Sequence, residues 1–368
     1  MCQSRPNPQT FASEALVATM EKRPNNPGTN QLGPGVTEEQ VLNAVDTSGY
    51  PLQIHVTEIF RSKRSSSQNE PFQISEEWCF VDRDTNNLRN IDLLVTTRLH
   101  GWEPQPRVRP QLTVLVECKQ SQLPYIFFET QNKVRLVDFP VIAGLHRDKI
   151  TITTDDDRSS WRYTVIHALD LDDDHFQSDP PFCYNLSKCV RKGQGALELS
   201  GTDAYNSVVL PLVKALQHFK QVRTPPNTAY YFDAHLAVIL AVLDAPMVGV
   251  TIDSGRAILT ASPWMRVLRH EHFDSRERVE SEKLWVLDVV HKDFLADYIN
   301  VHLLPFAERF AERVLRHPVE LATSEAFVSR MGAQGWHTIE NRMTAVKPKA
   351  RVDRAKSIRI RTPPSRKR

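Results

Sequence analysis

The stretch VLVECKQSQLPYIFF, residues 114 to 128, begins as a run suited to a protein core and then sets Glu117 and Lys119 two positions apart, on either side of Cys118. Side chains on a strand alternate faces, so residues two apart project together, roughly 7 Å from each other. Leu112, Val114, Val116 and Cys118 therefore share one face, and Thr113, Leu115, Glu117 and Lys119 the other. An acid and an ammonium at the end of an apolar strand are half of a hydrolytic centre. Asp92 offers the other half, because it interrupts the apolar run Ile91, Leu93, Leu94, Val95 only 25 residues before Glu117. Two neighbouring antiparallel strands would bring both carboxylates to one point.

Phosphodiester hydrolysis asks for this set. Mg²⁺ prefers oxygen ligands in octahedral geometry, with one or two protein carboxylates and several retained waters. Asp92, Glu117 and the main-chain carbonyl of Cys118 supply such ligands. A cation held there lowers the pKa of bound water and stabilises charge developing on phosphate. Lys119 would orient or help deprotonate the attacking water and add positive charge in the transition state.

The elements that must position these residues follow in order. Thr37-Glu38-Glu39-Gln40 matches a capping box, which predicts a helix beginning after Thr37, with Val41, Leu42 and Val45 as its apolar stripe. Gly49 and Pro51 should end it. Residues 53 to 60, QIHVTEIF, alternate and read as a strand, as do 72 to 82 and 89 to 99, the last two joined by an Asp/Asn-rich turn. The region 129 to 200 reads as an insertion, with KITITT and WRYTVIHALDL as a hairpin. Helical spacing returns at 204 to 219. Strands are then expected in LAVILAVL, PMVGVTI and LWVLDVV, before a helix kinked near Pro305 and another over 319 to 345. The expected class is α/β or α+β, a central mixed sheet flanked by helices. The expected organisation is a disordered leader (1–35), one domain (36–345) and a basic disordered tail (346–368).

Asp92, Glu117-Cys118-Lys119 and a capped upstream helix resemble the D…E-x-K signature of the PD-(D/E)XK, or restriction-endonuclease-like, nuclease superfamily. The core of that superfamily runs α-β-β-β-α-β. Here Ile91 stands where its name places proline, and the 129–200 segment is long. The resemblance implies a Mg²⁺-dependent endonuclease cutting DNA, with Mn²⁺ able to substitute, Asp92 and Glu117 as metal ligands and Lys119 as catalytic lysine. It also implies a role for a glutamate on the first helix, Glu38, which the helical wheel sets between Val41 and Leu42 toward the sheet. The first-turn position of Glu38 also suits the helix dipole. Ser121 and Lys214 are candidate phosphate contacts, or else a strand end and an exposed lysine. Pairing of two copies is expected by analogy. RNA is a third possibility as substrate. A nuclease-fold protein that binds nucleic acid without cutting is the rival reading.

Composition is compatible with all of this. Hydrophobic residues make up 40% and charged residues 24% of the 368, which is ordinary for a globular chain. No apolar run is long enough for a membrane helix, and the N-terminus lacks a secretory layout. Five scattered cysteines without a C-x-x-C pair point to a reducing cytoplasm. From Lys347 onward there are ten Lys or Arg against one Asp, while the rest holds 36 basic and 43 acidic residues. The tail is therefore a basic arm suited to phosphate. Asp82 and Asp84 read as turn formers, Asp155 to Asp157 and Asp172 to Asp174 as loop charge, and His270 and His272 as an H-x-H without further partners. Tyr125, Phe127 and Phe128 read as core.

Overall fold

A computed structural model describes residues 23–64, 70–101, 105–132, 134–193, 195–272, 282–329 and 339–347. The first 22 residues of the expected leader and nearly all of the basic tail lie outside them. The chain divides into two compact units, Met1–Pro51 and Leu52–Arg368.

In the first unit, helix α1 (Glu38–Asp46) begins at the expected capping box. Thr37 Oγ1 accepts the Gln40 N–H at 3.2 Å, and Gln40 Oε1 accepts the Thr37 N–H at 3.0 Å. None of its residues is buried, and Val41, Leu42 and Val45 are exposed. Glu38 is exposed in its first turn, the position that suits the helix dipole.

Helix α2 (Tyr50–Ser62) spans the residues read as a strand, and its Leu52, Val56 and Phe60 pack on the sheet. That segment fits both periods. Ile54, Val56 and Phe60 satisfy alternation, while Leu52, Val56 and Phe60 satisfy a four-residue spacing. The second wins, leaving Ile54 exposed and Leu52, Gln53, Val56, Thr57 and Phe60 buried. Pro51 sits in the first turn, where a missing N–H costs nothing.

Strands β1 (Gln73–Asp82), β2 (Asn87–Arg98), β3 (Val108–Gln120), β4 (Tyr125–Thr130), β5 (Val141–Ala143), β6 (Lys149–Thr154) and β7 (Ser160–Thr164) follow. The hairpin expected at KITITT is β6–β7, but its second arm ends at Thr164, whose hydroxyl caps a short helix, α3 (Val165–Ala168). Next come α4 (His175–Ser178), β8 (Phe182–Lys192) and β9 (Ala196–Ser200). Helix α5 (Gly201–Ala204) then runs through a π turn (Tyr205–Val209) into α6 (Leu210–Val222). The chain continues through β10 (Phe232–Asp244), β11 (Met247–Asp253), β12 (Arg256–Ala261), β13 (Trp264–His272) and β14 (Glu282–His291). After α7 (Leu295–Asp297), a second π segment (Tyr298–Leu303) precedes α8 (Leu304–Arg316). It lies where Pro305 removes a helical N–H, the site of the expected kink. Residues 319 to 345 are not one helix: α9 (Pro318–Thr323) stops at Ser324, in left-handed conformation, and β15 (Glu325–Val328) follows.

Twelve strands form one mixed sheet in the order β1-β2-β3-β10-β14-β13-β8-β4-β11-β12, with β5 on β10 and β9 on β8. The segment read as an insertion thus contributes β5, β8, β9 and the last two residues of β4 to the main sheet, while β6 and β7 join β15 in a second one. The expected mixed α/β class holds. β1 to β3 form an antiparallel meander, and β10 lies parallel to β3 from Phe232↔Val108 to Asp244↔Gln120. Leu112, Val114, Val116 and Cys118 pack in the core that holds Val56, Phe60, Phe306 and Phe310. Leu115 belongs to the opposite core, with Leu212, Val213 and Leu216 of α6. Helices therefore cover both faces of β3, with α6 on the face of Glu117 and Lys119.

At the far side of β14 a buried ion pair ties sheet to helix. Arg266 Nε and Nη2 donate to the two carboxylate oxygens of Asp288 at 2.7 and 3.0 Å, and both side chains are fully buried. Tyr298 Oη donates to the same carboxylate at 2.9 Å, and Arg266 Nη1 donates to the carbonyls of Phe176 and Gln177.

Candidate functional site

The β2–β3 ladder runs from Arg98↔Gln111 to Leu93↔Val116 and stops there. Its next rung would set Asp92 opposite Glu117. Instead the Asp92 carboxylate fills the gap: Oδ2 accepts the Cys118 N–H at 2.5 Å. A strand residue sends its N–H and carbonyl to the same side, so the Cys118 carbonyl also borders this gap. The β1–β2 ladder breaks at the same level. Glu76↔Leu93 and Trp78↔Ile91 pair, but Glu77, opposite Asp92, does not, and Glu77 has a φ of +51°. A glutamate in left-handed backbone within a strand is strained, and such strain gathers at working sites. Glu77 accepts a hydrogen bond from Asn90 Nδ2, and Gln53 Nε2 of α2 donates to the Asp92 carbonyl at 3.4 Å.

Glu117 is buried and meets Lys119 Nζ through Oε1 at 2.5 Å, while its Oε2 is buried with no hydrogen-bond partner. Burial pushes its carboxyl up to about 7, with the Lys119 charge opposing and the Asp92 and Glu77 charges adding to the rise. Burial also raises Asp92, against the Cys118 N–H and Lys119, which lower it, and with Glu77, which raises it further. Lys119 is raised as well. Burial alone would lower it, but the Glu117 charge, their hydrogen bond and the Asp92 charge outweigh that. The three groups thus feel one another, and the two acids lack enough positive charge to ionise at their ordinary pH.

That deficit decides whether a divalent cation fits. The unpartnered Glu117 oxygen and two acids held up by desolvation and mutual repulsion are relieved by added positive charge. The donors are oxygens, which suits Mg²⁺ or Mn²⁺. Among the described residues no three His, Cys, Asp or Glu side chains are grouped as a ready metal cage. The fit is therefore that of two carboxylates with a main-chain oxygen and solvent.

Of the remaining sequence candidates, Glu38 belongs to the first compact unit. Ser121 Oγ accepts the Leu123 N–H at 3.1 Å and its own N–H bonds the Asp244 carbonyl, the bonding of a strand end. Lys214 binds Asp84 at the β1–β2 turn. Asp82 accepts from Arg89 and the Asp84 N–H as a turn former should. Asp156 accepts within its own turn from Thr154 and the Arg158 N–H. Asp172 bonds His167 and Arg135, and Asp174 caps α4 and bonds Arg309. His270 stacks on Tyr184. Tyr125 and Phe127 are core, as expected, whereas Phe128 is only partly buried and lines a cavity.

Two neighbours of Asp92 escaped the sequence reading. Gln53 was hidden by reading its helix as a strand. Glu77 was signalled only by two successive acids in FQISEEWCF, where alternation allows one of them an exposed face.

No described helix is long and apolar enough to cross a membrane. No protein-family model, curated protein or solved structure matches the chain.

Proposed function

We propose that this protein is a divalent-metal-dependent nuclease that hydrolyses DNA phosphodiester bonds at Asp92, Glu117 and Lys119. The observation that carries the reading is the broken rung between β2 and β3. There two acids from neighbouring strands converge beside one lysine, and a buried carboxylate oxygen is left without a partner. A buried carboxylate oxygen without a partner is costly, and a bound cation would satisfy it. With β4 to β9 and α3 to α5 set aside as additions between β3 and α6, the order α2-β1-β2-β3-α6-β10, with β10 parallel to β3, agrees with the restriction-endonuclease-like core suggested by the D…E-x-K pattern.

In this reading Asp92, Glu117 and the Cys118 carbonyl would hold Mg²⁺, which when bound supplies Lewis-acid activation of water and phosphate. Glu117 must be ionised for that role. Lys119 keeps its proton at neutral pH and sits 2.5 Å from Glu117, where it can hold an attacking water in line and offset charge on the phosphate. The Cys118 N–H fixes the Asp92 carboxyl, which frees its other oxygen to face the cation.

The test is cleavage of labelled DNA with Mg²⁺ or Mn²⁺. Wild-type protein should cut. Asp92→Ala and Lys119→Ala should each lose at least about a hundredfold in rate while remaining folded by circular dichroism at the assay temperature. Unchanged cutting by both variants would remove these residues from the chemistry. Absence of cutting, with DNA binding intact, would favour the non-cleaving nuclease-fold reading.

A further inference from the structure

A cavity of about 600 Å³ opens on the α6 face of the sheet, lined among others by Tyr184, Asn185, Ser187, Thr202, Tyr205 and Arg269. Its walls mix aromatic faces with donors and acceptors. The Arg269 guanidinium lies 4.8 Å from the centre of the Tyr205 ring, and Tyr205 Oη donates to Glu271 at 2.8 Å, so this wall is held from both sides. Its volume falls in the range of small-molecule sites. Flat aromatic surfaces beside an amide, two hydroxyls and a guanidinium suit a planar heterocycle with hydrogen-bonding edges.

The ladder of β4 and β8 links this cavity to the acids. Tyr125↔Lys188, Ile126↔Ser187, Phe127↔Leu186 and Phe128↔Asn185 are successive rungs, so about 10 Å of strand separates Tyr125 from the cavity's Phe128 edge. Tyr125 feels the charge of Lys119 and bonds the Ser207 side chain in the π turn, and the Lys188 ammonium lies 5.8 Å from the centre of its ring. Lys119 and Lys188 thus both act on Tyr125, at the start of the strand whose Phe128 end borders the cavity.

Building on the nuclease reading, we propose that this cavity is a nucleobase subsite beside the scissile phosphate, and that the substrate is single-stranded or locally unpaired DNA. A base can enter the hollow only when it is outside the duplex stack. The subsite would grip a base next to the cut, and the acids would act on the phosphate beyond Lys188.

The test measures fluorescence anisotropy of one labelled oligonucleotide, single-stranded and as a duplex, against Asp92→Asn protein, which holds the substrate uncut. Cleavage is measured in parallel with Asp92 intact. Single-strand affinity should exceed duplex affinity by tenfold or more. Tyr184→Ala with Arg269→Ala should remove about ten- to a hundredfold of it and leave duplex affinity unchanged. Asn185→Ala, at an exposed position, should weaken single-strand binding in the same direction. Metal-dependent cutting with no single-strand preference, or with binding untouched by all three changes, would overturn the subsite and leave the nuclease reading standing. Single-strand binding lost in these variants, with no cutting by any form, would overturn the nuclease reading and leave the subsite.

Discussion

The buried acid at the centre of the site makes a thermodynamic statement about pH. Glu117 titrates near 4.5 in an unfolded chain and at about 7 in the fold. Between those values the native protein keeps a proton that the unfolded chain has released. Stability therefore falls as pH rises from 4.5 to 7 and levels off above it. The span of roughly 2.5 pH units corresponds to about 3 kcal/mol. Only 8% of the side chain is exposed, so solvent screening reduces the figure little. The raised Asp92 acts in the same sense. Glu117→Gln removes the larger of the two contributions while keeping shape. Urea unfolding followed by tryptophan fluorescence at pH 5, 6, 7 and 8, in EDTA, isolates it as the difference between the two proteins. Relative to wild type, the variant should gain stability with rising pH, by about 2 to 3 kcal/mol between pH 5 and 8. Excess Mg²⁺ should shrink this gain by stabilising ionised wild-type protein at pH 8. A difference that stays constant with pH, or moves the other way, would refute the burial argument.

Two further substitutions test neighbouring features. Glu77 sits at a φ of +51°, so Glu77→Gly should be more stable than Glu77→Ala by about 1 kcal/mol in thermal unfolding. The reverse order, usual for glycine in a strand, would speak against the left-handed backbone. Arg266→Met leaves Asp288 buried without its cation and should cost about 3 to 5 kcal/mol in urea unfolding, with Asp288→Asn on the same chain recovering a good part of it. A loss below 1 kcal/mol would mean that the pair is not buried as described.

The centre of the site was legible in the sequence because strand alternation is a local rule. Cys118 lies in the core with Val114 and Val116 while Glu117 and Lys119 face the other way, as the spacing requires. The proximity of Asp92 and Glu117 also followed, since a meander places successive strands side by side. Other parts depended on packing between distant segments. Residues 52 to 60 satisfy both a two-residue and a four-residue period, and only burial against the sheet chooses the helix. The capping box announced α1 correctly but carried no information about whether its stripe would be covered. Glu77 depends on a backbone distortion that no local pattern encodes. The cavity draws its walls from β4, β8, β13 and the π turn, segments separated by some 140 residues from Phe128 to Arg269.

Calorimetric titration of Mn²⁺ into DNA-free protein at pH 7 bears most directly on the proposed centre. Wild-type protein should bind with proton release as Glu117 ionises, seen as a heat that depends on the buffer. Asp92→Asn and Glu117→Gln should each weaken binding by tenfold or more. Equal Mn²⁺ affinity in all three proteins, or no binding by wild type, would mean that these two carboxylates do not hold a cation together.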